Sequence, residues 1–258
     1  MEWGEVLWLL YSALFGAILG SFLNALLFRF NTGKGMGGRS KCMHCSHVLG
    51  ALDLVPIFSY LLLRGKCRYC GAKISVQYPV VEGAMALLTT LTYLSHPTEP
   101  LMFVFWTLVW ALLLFITVYD IRHTIIPWSF SIALLALSLF SLVTHFSLVW
   151  LLAGPLLALP LFLFSLVSNG RWMGWGDSLL MLSLGWLLGP GVGLAALMLA
   201  FWSGAVVGLL LILLSRWKRI TSRFTIKSEI PFAPFLALGA VLAYFLHVDF
   251  LIPFAFLW

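Results

Sequence analysis

Residues 101–120 read LMFVFWTLVWALLLFITVYD, nineteen residues without a charge followed by an aspartate. A helix needs about twenty mostly apolar residues to cross a hydrocarbon core of roughly 30 Å. Similar runs recur along the 258-residue chain, which is 62% hydrophobic, is only 9% charged and has a mean hydropathy of +1.05. Soluble globular domains do not reach these values. The sequence therefore predicts an all-α membrane protein.

The apolar runs predict about eight transmembrane helices. The sixth run holds only eleven residues before Gly189-Pro190-Gly191 ends it. Eleven helical residues measure about 16 Å, roughly half the hydrocarbon thickness. If this run crosses, we expect the residue before it, Asp177, to lie below the membrane surface. The expected spans are Val6–Phe28, Pro79–Ser95, Leu101–Tyr119, Ile125–Phe146, Leu148–Val167, Ser178–Leu188, Val192–Leu214 and Ile230–Trp258.

The basic residues predict an orientation for these spans. All fifteen Lys and Arg residues fall in the first, third, fifth and seventh loops. Short loops rich in Lys and Arg remain on the cytoplasmic side, so we expect these loops inside and both termini outside. The net charge of +6 then reflects topology and contact with anionic lipids of the bilayer, and it gives little support to a nucleic-acid partner.

The first loop carries all four cysteines, as the pairs Cys42/Cys45 and Cys67/Cys70. Each CxxC turn directs two thiolates at one ion, and two such turns complete a tetrahedral zinc site. Two disulfides or free thiols are the alternative, which a reducing cytoplasm disfavours. A site closed by four sulfurs has no open position for a substrate, so we expect a structural zinc. His44 and His47 are spare ligand candidates.

Three carboxylates border the cytoplasmic ends of expected spans. Asp120 ends the third span, Asp177 follows Gly174-Trp-Gly176, and Glu82 lies three residues into the second span. A carboxylate near hydrocarbon is costly and is a functional-site hypothesis by default. Two aspartates on one membrane face suit a pair in which one takes a proton from water while its protonated partner polarises a carbonyl.

Spacing alone leaves further roles open for these acids. A proton-coupled transporter also places carboxylates in its spans, although it predicts acids nearer the midplane and an internal repeat. Glu82 could instead pair with a loop arginine such as Arg64 or Arg68. In the first span, Gly16 and Gly20 with the nearby polar residues favour close helix packing. A polar recess lined by Asn24 and Arg29, continuous with the first loop, is the less favoured alternative.

Several motifs together resemble the prepilin peptidase family, also called type IV leader peptidases, which are intramembrane GxGD aspartic proteases. Gly20-Ser-Phe-Leu-Asn24 with Arg29 resembles its first-span signature. The two CxxC pairs flank Asp53-Leu-Val-Pro56 as in its cytoplasmic zinc loop. The remaining matches to the family's blocks are Tyr78-Pro-Val-Val-Glu82, Asp120 with Ile126-Pro127, and Gly174-Trp-Gly-Asp177.

The resemblance implies an endopeptidase that removes the short basic leader from type IV prepilins or pseudopilins at the cytoplasmic face of the bacterial inner membrane. It implies Asp120 and Asp177 as catalytic residues, with Gly174 and Gly176 in the active-site loop that leads to Asp177. The zinc loop and Glu82 imply the subgroup that then methylates the new N-terminus with S-adenosylmethionine, with Glu82, Asn24 and Ser21 as supporting residues. Such proteins act in type IV pilus assembly and type II secretion.

On this basis the chain divides into a first transmembrane helix (1–28), a zinc-binding loop associated with methyl transfer (29–78) and a transmembrane peptidase domain (79–258). The family usually has a lysine two positions after the GxGD aspartate, whereas this chain has Leu179. Arg122 or Arg171 could supply the missing cation. An inactive scaffold for pilus assembly is a third possibility, for which Leu179 is the only sign.

Overall fold

The computed structural model of the chain describes residues 3–32, 38–171, 173–217 and 231–251. Within these ranges the regular structure is helical apart from two isolated β bridges, which confirms the predicted all-α fold. A short 3-10 helix spans Ala51–Asp53. The α-helices are α1 (Trp3–Arg29), α2 (Phe58–Leu62), α3 (Gln77–Ser95), α4 (Pro100–His123), α5 (Trp128–Thr144), α6 (Leu148–Ser168), α7 (Trp175–Trp217) and α8 (Ala233–Phe245).

Four of the described helices are long and apolar enough to cross a membrane, namely α1, α4, α6 and α7. Helices α5 and α8 are apolar but have only 17 and 13 residues. These features describe a membrane protein, and the number of eight spans stays a prediction. The start of the eighth expected span at Ile230, its end at residues 252–258 and most of the basic seventh loop lie outside the described residues.

Helix α7 contains the sixth and seventh apolar runs and reverses direction between them. Gly189 has φ 76° and ψ −177° there, which breaks the helix. A Cβ on Gly193 would lie 3.6 Å from the Cα of Gly185. Residues eight apart in a straight helix are about 12 Å apart, so the two halves of α7 must form a hairpin. The two runs are consecutive antiparallel helices joined by a tight turn.

The chain divides into two compact units, Met1–Phe115 and Ile116–Trp258. In the first unit α1 packs against α3. A Cβ on Gly20 would lie 2.7 Å from the Cα of Glu82, and a Cβ on Gly16 would collide with Thr89. Close helix packing, the favoured interpretation of these glycines, is confirmed.

In the second unit α7 packs against α5, α6 and α8. The fully buried side chains of Leu134, Leu161, Leu184 and Leu236 bring one core residue from each of these four helices. The ends of α4 and α7 that carry Asp120 and Asp177 both belong to this unit. The second unit therefore contains both aspartates.

Candidate active site and metal centre

Asp177 lies in the first turn of α7, directly after the glycine-containing loop. Its side chain is buried, and Oδ2 accepts a hydrogen bond from the N–H of Gly174 at 3.2 Å. Its second oxygen, Oδ1, is buried and has no hydrogen-bond partner among the described residues. A buried carboxylate oxygen without a partner is costly. This oxygen is thus available to a water molecule or a substrate group.

Asp120 is buried near the end of α4, with only 4% of its surface exposed, and Asp177 is 6% exposed. The two carboxyl groups lie close enough to interact electrostatically. The backbone N–H of Ala233, at the start of α8, donates to the Asp120 carboxyl group. The structure therefore brings together the two aspartates that the sequence singled out, fifty-seven residues apart along the chain.

The two glycines of this loop have different roles. A Cβ on Gly176 would lie 2.8 Å from the Cβ of Ile126, so this glycine lets α7 approach the segment before α5. Gly174 supplies the N–H that Asp177 accepts. The sequence pointed to Gly176 but gave no sign of its contact with Ile126, because the contact joins segments fifty residues apart.

An apolar groove with a volume of about 400 Å³ lies beside this loop. It is formed by α5, α6 and the first half of α7, and it includes Trp175 and Ser178, the residues on either side of Gly176-Asp177. Leu179 lies in the groove wall. The remaining wall is formed by Trp128, Pro155, Ala158, Leu159, Phe162 and Leu182.

Arg171 is one of the two arginines suggested as a replacement cation beside Asp177. It donates from Nε to the carbonyl of Ser168 at 3.4 Å, within its own loop. Position 179 lines an apolar wall, which suits leucine.

The four cysteines form a second candidate site in the first unit. One ligand atom from each of Cys42, Cys45, Cys67 and Cys70 lies within 4.8 Å of the others. The two CxxC turns have the same backbone hydrogen bonds, since Cys42 N–H donates to His47 and Cys67 N–H donates to Ala72. The residues after the second cysteine of each pair, Ser46 and Gly71, both have positive φ. The loop thus contains the same turn twice.

These residues fit a metal ion. A tetrahedral site with Zn–S bonds of about 2.3 Å requires sulfurs about 3.8 Å apart, and the sulfurs of Cys42 and Cys70 are 3.9 Å apart. Backbone N–H groups of Cys45 and His44 lower the pKa of Cys42 to about 6, which favours the thiolate that a metal needs. A backbone hydrogen bond from Ala72 lowers the pKa of Cys70, but burial and the neighbouring thiols outweigh it and raise that pKa to about 11. His47 stacks on Tyr69 with ring centroids 3.7 Å apart and is not part of the cluster.

Asp53 joins the segment between the two CxxC turns to the second turn, a role that sequence reasoning missed. It accepts hydrogen bonds from Arg68 Nε at 2.7 Å, Tyr69 Oη at 3.1 Å and the N–H of Gly50 at 3.1 Å. Burial raises the pKa of Asp53, but these hydrogen bonds together lower it below its usual range. One sequence feature could have indicated this role: Asp53 is the single acid in residues 29–78, which contain eight basic residues.

The polar residues of α1 and α3 connect the two helices with the loop. Glu82 accepts a hydrogen bond from the N–H of Ile57 at 2.7 Å and another from Ser21. Asn24 is fully buried, donates from Nδ2 to the carbonyl of Tyr78 and accepts from Gln77. Glu82 therefore bonds to the loop backbone, whereas Arg68, a partner considered for it, pairs with Asp53.

Comparison with known proteins places the chain in a family. Residues 14–96 match the bacterial peptidase A24 N-terminal domain, and residues 105–212 match the type IV leader peptidase family. A prepilin leader peptidase/N-methyltransferase of Aeromonas hydrophila is 32% identical over 215 residues, which cover 70% of this chain and 74% of that protein. The chain belongs to the type IV leader peptidase family.

Further relatives of this family carry the same name. The protein of Pectobacterium carotovorum subsp. carotovorum is 32% identical over 205 residues, covering 67% of this chain and 72% of that protein. The protein of Stutzerimonas stutzeri is 35% identical over 155 residues, which cover 57% of this chain and 53% of that protein. Both aspartates fall within the family match, and all four cysteines fall within the N-terminal domain match. No solved structure matches the chain.

Proposed function

We propose that this protein is an intramembrane aspartic endopeptidase that cleaves the leader from type IV prepilins or pseudopilins. The observation that carries the proposal is the pair of buried aspartates, Asp120 and Asp177, within one compact unit of a leader peptidase family member. The relatives are named as prepilin leader peptidases. This membership favours a peptidase over the transporter and scaffold alternatives.

In the proposed reaction the two carboxyl groups act as a pair on one water molecule. One aspartate, as carboxylate, takes a proton from water while the other, kept protonated, donates a hydrogen bond to the scissile carbonyl. Like charges at close range disfavour double ionisation, so the pair holds one proton between two carboxyl groups. The unpartnered Oδ1 of Asp177 supports this role because it is free to bind water or substrate.

The apolar groove beside Asp177 supports a membrane-embedded substrate. A prepilin has a basic leader followed by a hydrophobic segment. The groove offers an apolar wall that includes Trp128 and Leu179 next to the aspartate. The hydrophobic segment would lie among the helices while the basic leader extends into cytosolic water.

We further propose the topology that the positive residues predict. Eight spans with odd-numbered loops in the cytoplasm place both aspartates at the inner face of the bacterial inner membrane and both termini outside. The hairpin in α7 supports this count, because it lets the sixth and seventh runs cross separately. The proposed functional division is a first helix at 1–28, a zinc loop at 29–78 and a peptidase domain at 79–258.

We also propose that the chain methylates the new pilin N-terminus with S-adenosylmethionine as donor. The relatives are named as N-methyltransferases, and the four-cysteine cluster is the structural zinc site of the loop associated with that activity. Glu82, Asn24 and Ser21 support the proposal because they tie the loop to α1 and α3. In this role they position the loop and do not need to contact the methyl donor.

The proposed activities can be tested separately. The purified full chain in lipid vesicles is incubated with a prepilin, first without and then with isotopically labelled S-adenosylmethionine. We expect the pilin to lose the mass of its leader in both cases and to gain label only in the second. An intact prepilin would contradict the peptidase proposal, and a cleaved but unlabelled pilin would contradict methyl transfer alone.

A further inference from the structure

Helix α2 of the zinc loop carries an apolar face that no part of the described chain covers. Phe58, Leu61 and Leu62, which we call the α2 face, are 63%, 63% and 83% exposed. They stand at positions i, i+3 and i+4, so they share one side of the helix. Leu54 and Val55, just before α2, are exposed as well. A surface domain rarely shows such a cluster to water without a partner.

The α2 face is held close to the start of α3 and to the end of α1, one of the helices long and apolar enough to cross a membrane. The residue before α2, Ile57, donates its N–H to Glu82 in the second turn of α3. Five residues of helix measure about 8 Å, so this bond fixes α2 near the level at which α3 begins. Asn24 in turn joins the first turn of α3 to the end of α1. The zinc loop is therefore held near the end of α1, a helix long and apolar enough to cross a membrane.

The charge around the α2 face is strongly positive. Residues 29–78 contain eight Lys or Arg residues, and their one acid, Asp53, is paired with Arg68. Arg64 and Lys66 follow α2 directly and are exposed. An apolar helix face bordered by basic side chains is typical of segments that lie in the interface of an anionic bilayer.

We propose that the α2 face inserts into the cytoplasmic leaflet of the membrane and that Arg64 and Lys66 bind anionic lipid headgroups beside it. The apolar side chains would lie at the boundary between headgroups and acyl chains, and the cysteine cluster would stay in water. This anchor holds the zinc loop in a fixed orientation against the bilayer. It does not depend on peptide cleavage or methyl transfer.

The test places a photoreactive benzophenone amino acid at position 62 of the full chain, with Met43 as the matched control position. Met43 is 73% exposed and lies in the first CxxC turn, outside α2. Each protein is reconstituted in vesicles of phosphatidylglycerol and phosphatidylcholine, irradiated and analysed by mass spectrometry. Metal content confirms that the loop is folded. A second variant with the label at position 58 repeats the measurement.

We expect lipid adducts at positions 58 and 62 at least five times as abundant as at position 43. We also expect fewer adducts when phosphatidylglycerol is omitted or when 0.5 M salt is added, because the basic residues then lose their attraction to the surface. Equal adducts at positions 43, 58 and 62 would overturn the proposal, and so would crosslinks from the α2 face to protein. Labelling that is independent of lipid charge would overturn the role of Arg64 and Lys66.

Discussion

Gly176 shows how one missing side chain shapes the candidate active site. A Cβ at this position would lie 2.8 Å from the Cβ of Ile126, a contact that requires the backbone to shift. We predict that Gly176→Ala lowers the free energy of unfolding by about 1–3 kcal/mol, as overpacking does, and slows cleavage because Asp177 moves with the helix. Thermal unfolding in detergent and an initial cleavage rate measure the two effects.

Gly208 provides the matched control for this substitution. It lies in the same helix, and a Cβ there would meet no atom within 4 Å. Gly208→Ala should leave cleavage unchanged and stability equal or slightly higher, because alanine is the better helix former. Parental stability and activity in Gly176→Ala would show that the contact with Ile126 does not constrain the loop.

At the residue scale, sequence reasoning identified candidate residues where a residue type was unexpected in its surroundings. Asp120 and Asp177 stood out because each is a carboxylate beside a long apolar run, and the structure brings them together. The contacts of Gly176 with Ile126 and of Glu82 with Ile57 join distant segments. No local pattern encodes them, so only the folded chain could reveal them.

At the scale of elements, the two CxxC turns should act as one metal site. We predict that the purified chain holds about one zinc ion and that Cys67→Ser removes most of it, because a structural site needs its four ligands. Met43→Ser should keep the metal, since Met43 lies in the first turn but points to solvent. Elemental analysis measures the zinc content of each protein. Full zinc content in Cys67→Ser would contradict a four-cysteine site.

Glu82 should connect α3 with the zinc loop through the amide of Ile57. Removing the acceptor by Glu82→Ala leaves that N–H unpaired, which costs about 1.5–3 kcal/mol for a bond to a charged group. We predict hydrogen exchange at Ile57 that is roughly ten to a hundred times faster.

Glu82→Gln is the matched variant because its amide oxygen can still accept from Ile57. It should retain most of the protection that Glu82→Ala loses. If the rate of methyl transfer in the two variants falls in parallel with the protection of the Ile57 N–H from hydrogen exchange, Glu82 acts by positioning the loop. Equal exchange in all three proteins would show that the bond to Ile57 does not hold the loop.

The elements themselves were partly predictable. The Gly189-Pro190-Gly191 sequence correctly ended the sixth apolar run. Apolarity alone did not show how tightly α7 reverses, since this depends on Gly185 and Gly193 meeting without side chains. Likewise, the CxxC spacing predicted the cysteine cluster, whereas the contact of Asp53 with the second CxxC turn depends on side-chain bonds that spacing does not specify.

At the scale of the whole molecule, the distribution of Lys and Arg predicts the topology. We expect a reporter that is active only outside the cytoplasm to work when fused after residues 97, 146 and 190, and a cytoplasmic reporter to work after residues 171 and 217. Residue 190 is the most informative position, because it tests whether the α7 hairpin crosses the membrane. A cytoplasmic position for residue 190 would contradict eight spans.

The composition predicted an all-helical membrane protein, because so few charges cannot cover a soluble surface of this size. The number of spans is harder to establish, since α5 and α8 are shorter than a full crossing. The helix length needed to cross a membrane depends on tilt, on bilayer thickness and on the packing of neighbouring helices. The sequence does not specify these directly.

The central claim is that Asp120 and Asp177 together perform peptide cleavage. The most direct test measures initial rates of prepilin cleavage in vesicles for Asp120→Asn, Asp177→Asn and the control Asp249→Asn. Asp249 is an acid near the turn of α7, where its side chain lies against Gly191. We predict a loss of at least about 100-fold for each of the first two variants, as expected when a general acid or base is removed, and a parental rate for the control. Cleavage at the parental rate by either Asp120→Asn or Asp177→Asn would contradict the account.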